Sequence, residues 1–220
     1  MPRWIPTILV AVILAIAIRY TIARVYSGPQ LALVDIRPGL KKSDEPSAGL
    51  CPWRNPERDR VQFFPSSTGY RDETLILTPM HSEIERKLGR PMTGDDNALQ
   101  IHTVLKDGRP TGAIVTRRVR GECGLIELVL AIGTNGRVVG ACVQREREMP
   151  STAAFLNSPK WLESFQGKTA ASPWQVGKDL PDPPQGALLS AEALARNAKT
   201  VLILYQAGSR MPPTLHSHDE

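Results

Sequence analysis

Nine residues, DPPQGALLS (182–190), place a Gly-Ala pair directly ahead of the best-patterned helix in the chain. A helix start offers backbone N–H groups without intrahelical partners and the positive end of the helix dipole. Glycine lets that backbone come close to a ligand. Over Gly186 and Ala187 this chemistry suits a phosphate, although every helix has such an end. Leu188, the next side chain, has no reactive group, and Ser190 reads as the helix N-cap. Other polar residues do not assemble into a site. His81 and Glu85 lie four apart on one helical face without a third ligand, as a surface pair would. His102 falls on the solvent-facing or edge side of its strand. Gly121 and Gly124 are too close together for a dinucleotide fingerprint and precede a strand. Cys51, Cys123 and Cys142 contain no C-x-x-C spacing, and the latter two read as small buried hydrophobes. His216 and His218 belong to a polar tail. No Ser/His/Asp set and no spaced carboxylate pair is present.

The elements that would position the loop follow from local pattern. TPMHSEIERKLG (78–89) predicts a short helix, capped by Thr78, with Pro79 in its first turn and Gly89 at its end. Residues 98–106 and 112–120 alternate in polarity about the Asp107-Gly108 turn. Residues 125–132 form a nearly continuous apolar run, fit for a central strand. Asn135-Gly136 predicts a two-residue hairpin into residues 137–145. An antiparallel sheet of about four strands results. The two-residue turn sets Thr134 opposite Arg137 and Cys142 opposite Val129. Cys123 then lies six residues farther along, roughly 20 Å at strand rise. That distance excludes a Cys123–Cys142 bridge, whose Cα atoms must be within about 7 Å. The last helix buries Ala191, Leu194, Ala195, Ala198, Val201, Leu202 and Tyr205 at helical spacing, with Gly208 closing it.

The charge balance points to the other end of the chain. Residues 1–60 hold nine of the 27 basic groups and five of the 22 acidic ones, leaving 18 and 17 for residues 61–220. The folded part is thus near neutral and carries no nucleic-acid footprint. The basic excess sits beside WIPTILVAVILAIAI (4–18), a charge-free run. Extended to Ile22, with Arg19 snorkelling, it approaches the ~20 residues of a bilayer span. The sequence reads as a transmembrane anchor over 1–26, a Pro/Gly-rich linker over 27–60, a domain over 61–207 and a polar tail over 208–220. A cleaved signal peptide is the alternative, because Ala15-Ile16-Ala17 has the form of a cleavage site. Arg24, Arg37, Lys41 and Lys42 follow the span, which the positive-inside rule would place in the cytoplasm.

Three segments in order carry a family resemblance: RGECGLIELVLAIGTNGRVVGACVQREREMP (120–150), FLNSPKWLESFQGK (155–168) and DPPQGALLS. They resemble the FMN-binding domain of flavin-carrying subunits of the Na⁺-translocating NADH:quinone reductase and the Rnf complex, over roughly residues 95–207. Glu148 and Pro150 match the family's E-T-P, with Met149 in place of Thr. Phe165, Gly167 and Lys168 match the middle stretch. Asp182, Gly186 and Ala187 match D-x-x-[ST]-G-A-T. The family's closing Thr carries FMN through a phosphoester, and here that position is Leu188. Ser190, two residues on, has a hydroxyl that its capping role would occupy.

The resemblance implies an α+β fold, in which a single N-terminal transmembrane helix precedes an antiparallel sheet domain with flanking helices. It implies a membrane-anchored, extracytoplasmic domain that assists electron transfer, without catalysis of its own, beside other subunits of a membrane redox complex. Glu148, Pro150, Asp182, Gly186, Ala187, Leu188 and Ser190 would border the cofactor. With Leu188 the FMN would be held non-covalently. The alternative is a membrane-tethered interaction or scaffold module that has lost its flavin.

Overall fold

The computed structural model describes residues 55–210. The expected anchor, most of the expected linker, Cys51 and most of the polar tail lie outside those residues. Among the described residues no helix is long and apolar enough to cross a membrane.

Five strands form one antiparallel meander in sequence order: β1 Gly69–Ile76, β2 Ala98–Lys106, β3 Arg109–Arg120, β4 Leu125–Gly133 and β5 Val138–Arg145. The Asp107-Gly108 turn forms as expected. Both residues have positive φ, 51° and 75°, which matches the twist of the flanking strands. It sets Lys106 opposite Arg109, so β3 begins three residues before the expected 112.

The second hairpin differs from expectation. Gly133 N–H donates to Arg137 O (2.8 Å), so the loop holds three residues, Thr134–Gly136, with Gly136 at φ 71°. A register shift between Ala131 and Ile132 absorbs the extra residue, and Val129 still faces Cys142. β4 is buried on both faces from Ile126 onward, Glu127 included, in keeping with its nearly continuous apolar run. The sheet and its flanking helices make an α+β fold.

One face carries the main core. α5, Leu188–Gly208, lies against it. Leu194, Ala198, Val201 and Leu202 share a buried cluster with Val115, Ile126, Leu128 and Leu130 of the sheet. Each such Leu or Ile stabilises the fold by about 1.5–3 kcal/mol on burial. α3, Pro150–Leu156, and α4, Pro159–Glu163, extend the cluster through Leu156 and Trp161. The Trp161 ring meets Phe155 and Phe165 at centroid distances of 5.0 and 5.3 Å. Gly208 does not cap α5, which is capped by Ser209; instead Gly208 lies against Leu75 of β1, where a Cβ would come within 2.6 Å of Cδ1.

The opposite face is covered by an element that local pattern did not predict. α1, Pro56–Phe63, begins within the expected linker, so the folded body starts before residue 61. Asn55 caps it by accepting Arg58 N–H at 2.8 Å. Its Asp59 and Arg60 are buried rather than solvated. Asp59 accepts Gln144 Nε2 of β5 at 2.9 Å, and Arg60 donates to Ser67 O at 2.6 Å. Phe63 and Phe64 pack on Val104, Ile114 and Val129. They fit because Gly112 and Gly140 lie beneath them, where a Cβ would come within 2.6 Å of their rings.

β1 was also unexpected. Its alternation is masked by Arg71, Asp72 and Glu73, charges that suit an edge strand. Residues 78–89 divide into a 3-10 turn, Thr78–Met80, and α2, His81–Leu88, with Gly89 in the left-handed conformation. Thr78 therefore caps nothing by its side chain. His81 and Glu85 form the expected surface pair at 3.5 Å. His102, half-buried, meets Asp72 across the β1–β2 pair at 2.5 Å.

Candidate functional site

The β3–β4 turn, residues 121–124, is the hub of the site. It is closed by a 2.7 Å bond from Gly121 N–H to Gly124 O. Two chain segments supply acceptor oxygens to its remaining N–H groups. Ser190 Oγ accepts Glu122 N–H at 2.9 Å. The Glu148 carboxylate accepts Cys123 N–H at 3.3 Å from each oxygen and Gly124 N–H at 3.3 Å. Successive N–H groups in such a turn form a small concavity for an anion, and here a carboxylate of the same chain fills it. Gly121 makes this approach feasible, since a Cβ there would collide with Glu148 Oε1. Glu148 is held in turn by its own N–H, which donates to Glu146 at 2.8 Å.

A third bond ties the loop to the neighbouring helix. Thr152, buried in the first turn of α3, donates its hydroxyl to Gly186 O at 3.2 Å. The loop itself turns at Gly186, whose φ is 85°, and Ala187 N–H closes the turn onto Pro184 O at 3.1 Å. Ala187, fully buried, is the N-cap residue of α5. The first intrahelical bond runs from Ala191 N–H to Ala187 O, 3.0 Å. The first-turn donors are therefore those of Leu188, Leu189 and Ser190, one residue beyond the position over Gly186 and Ala187 read from sequence.

Ser190 departs from its expected role. It is not the cap but the third residue of α5, fully buried, with its oxygen engaged by Glu122. The hydroxyl is thus closed to solvent. Leu188 is 47% exposed and Leu189 60%. The position that the resemblance assigns to a phosphoester is on the surface but aliphatic, while the nearby hydroxyl is buried.

Of the seven predicted residues, Glu148, Gly186, Ala187, Leu188 and Ser190 come to one end of the molecule through these bonds. Pro150 is near them as the exposed first residue of α3. Asp182 is exposed and lies against Gly177, where a Cβ would be 3.2 Å from its Oδ1. Residue patterns overlooked Gly121, Cys123, Gly124 and Thr152. The G-x-x-G spacing of the turn was the available signal. Cys123 is exposed, in contrast to the buried hydrophobe expected. Cys142 is half-buried, and burial first, then the nearby Asp59 charge, pushes its thiol up to about 11.

The arrangement presents the start of α5 and an exposed apolar lip, Leu188 and Leu189, beside the 121–124 turn. No family model matches the chain. Over 91 residues, 39% of its length, it is 25% identical to proteins from two strains of Cereibacter sphaeroides that are named as a subunit of the ion-translocating oxidoreductase complex. The matched stretch spans 42% of the length of those relatives. The chain is thus distantly similar to a component of an ion-translocating oxidoreductase complex.

Proposed function

We propose that this chain is an FMN-binding-type domain of a membrane redox complex, an accessory electron carrier that holds its flavin non-covalently at loop 182–190. The observation that carries the reading is the convergence on one turn of the segments around Glu148 and Ser190, with Leu188 exposed at the start of α5. The residues fit an untethered anion. Leu188 and Leu189, both exposed, supply first-turn N–H groups, and the helix dipole favours negative charge there. They do not fit a tether, because Leu188 lacks a hydroxyl and that of Ser190 is buried. Bound FMN would supply one- and two-electron transfer. The protein's part is position and electrostatics: the loop seats the phosphate, and Glu148 and Pro150 border the ring side. Membrane anchoring by residues 1–26 and an extracytoplasmic domain belong to the same proposal, with the other subunits of such a complex as partners.

The scaffold reading rests on one observation. The Glu148 carboxylate already occupies donors of the 121–124 turn, leaving only the helix start for a phosphate.

An absorbance spectrum of the purified full-length protein, taken before and after acid precipitation, separates the readings. Released flavin supports the proposal, and acid-stable flavin would overturn the non-covalent assignment. For protein purified without flavin, FMN at 100 times its Kd should raise stability by about 2.7 kcal/mol. A colourless protein that gains nothing from FMN is the scaffold. Gly186→Val should lose reversible FMN binding with the sheet intact, and unchanged affinity would place the phosphate elsewhere. Space above Gly186 is open, so the effect would come from its left-handed φ and from a side chain standing over the loop.

A further inference from the structure

Asp59 of α1 is 2% exposed, and its Oδ2 accepts Gln144 Nε2 of β5 at 2.9 Å. Gln144 Oε1, on the same amide carbon, is shut off from solvent and accepts no hydrogen bond. Turning the amide over would set that oxygen against the carboxylate, where two acceptors repel, so an ionised Asp59 leaves it an orphan. Beside the pair is a polar cavity of about 130 Å³, lined also by Gln100, His102 and Thr116. Among the described residues, three charged or titratable groups face Asp59. Arg58 of the same helix, 53% exposed, donates to Oδ1 at 3.0 and 3.2 Å. His102 of β2, bonded to Asp72 of β1, shares the cavity. Cys142 of β5 feels the Asp59 charge, but its thiol, pushed up to about 11 by burial first, stays neutral well above physiological pH. β3 and β4 present Thr116 and Val129 here, with the Arg118–Glu127 pair farther along the same face. Glu57 and Arg60 of α1 bind each other.

We propose that Asp59 and Gln144 form a proton-operated latch: one proton taken from solvent by the Asp59 carboxylate tightens α1 on the sheet, and its loss loosens α1. Protonation turns an acceptor-only carboxylate into a donor. The acid O–H then serves Gln144 Oε1 while the acid carbonyl still accepts Nε2, so acid and amide close head to head through two bonds. Arg58 returns to water, at little cost for a side chain already half exposed. Burial raises the Asp59 carboxyl above its ordinary value, against the smaller lowering by Arg58 and His102. With the folded value above the unfolded one, the stabilisation is full below the unfolded value, near pH ~4, and is lost as pH rises through the folded value. The latch thus loosens towards higher pH. Its opening uncovers Val104, Ile114 and Val129, on which Phe63 and Phe64 pack.

The test is peptide-resolved hydrogen exchange of the full-length protein in detergent micelles, expressed as protection factors from about pH 4 to about pH 7. Protection in α1 should fall about tenfold for each pH unit by which the carboxyl is raised, while that in α5 stays level. Asp59→Asn, whose amide can pair with Gln144 as the protonated acid does, should keep α1 closed across the range. His102→Gln should leave the pH dependence in place, because the proton is carried by Asp59. In the wild-type protein the carbon-13 shift of the Asp59 carboxyl should titrate with the midpoint of the α1 protection, above the ordinary value of ~3.9. Level α1 protection across the range would overturn the latch. The same pH dependence in Asp59→Asn, or its loss in His102→Gln, would also overturn it, as would a carboxyl midpoint at or below the ordinary value. None of these readouts involves loop 182–190, so the latch and the flavin proposal fail separately.

Discussion

The two faces of the sheet share five strands but are built by different means. The face under α5 is a continuous apolar cluster that reaches from Leu77 to Ala207. The other face has a small buried cluster, Val104, Ile114 and Val129, under two phenylalanines, Phe63 of α1 and the adjoining Phe64. Beyond them that face turns charged, with the Arg118–Glu127–Arg145 row. A face buried against α5 and the shorter helices beside it supplies stability. A face only half covered leaves room for side chains whose charge must stay near water. The candidate loop lies beside the turn that joins β3 to β4, away from the packed middle of the sheet.

The comparison breaks most sharply at the densest point of the first face. Trp161→Ala should cost about 3–5 kcal/mol, read as a shift in the denaturant midpoint, because the ring is fully buried among Phe155 and Phe165. A cost below about 1 kcal/mol would mean that α4 contributes little to the core.

Asp96 tests the rim of the same face. It is fully buried and accepts bonds from Arg90 and Arg117, 2.8 Å each, and from Thr93. Burial alone would raise its carboxyl, but these donors outweigh that and hold it at about 2. Asp96→Asn should cost about 3 kcal/mol, since it strands two arginines. The sign with pH follows from a folded pKa below the unfolded one. The contribution is full above pH ~4 and fades as the carboxylate protonates down to about pH 2, a loss of about 2 kcal/mol. Acid titration of the unfolding free energy should show this loss in the wild-type chain but not in Asp96→Asn.

The second face should give smaller effects. Gly140→Ala places a methyl group against Phe63 and should cost about 1–3 kcal/mol, by overpacking rather than by a void. Hydrogen exchange should report the opening in α1, with the α5 amides unchanged. Smaller still is Ser190→Ala, which removes the acceptor from Glu122 N–H and should cost about 1 kcal/mol. If FMN is held at the start of α5, this change should weaken it more than it weakens the fold. Leu188→Thr should be nearly neutral for stability, since the side chain is half exposed. Given the flavin transferase that the resembled family uses, it should yield acid-stable flavin if the loop keeps that family's geometry.

The sequence alone determined what depends on neighbours along the chain. Alternation placed β2 with its observed ends, and a nearly continuous apolar run marked β4 as a central strand. Asp107-Gly108 and Asn135-Gly136 marked both hairpins, because positive φ is a local demand that few residue types meet. Helical spacing of alanine and leucine defined the buried stripe of α5. The Leu at 188 was also plain, and with it the lack of a hydroxyl where the resembled family has one.

Only the tertiary structure decided the rest, because its causes lie far apart in the chain. α1 looks like linker until Asp59 meets Gln144, 85 residues away. Ser190 looks like a cap until Glu122, 68 residues away, takes its oxygen and the helix begins two residues earlier. Glu148 is one acid among many until the turn 25 residues before it turns two N–H groups towards its carboxylate. The arginine row exists only because strand register brings Arg118, Glu127 and Arg145 side by side. Periodicity reports which way a side chain faces. It carries no information about which distant group will be waiting there.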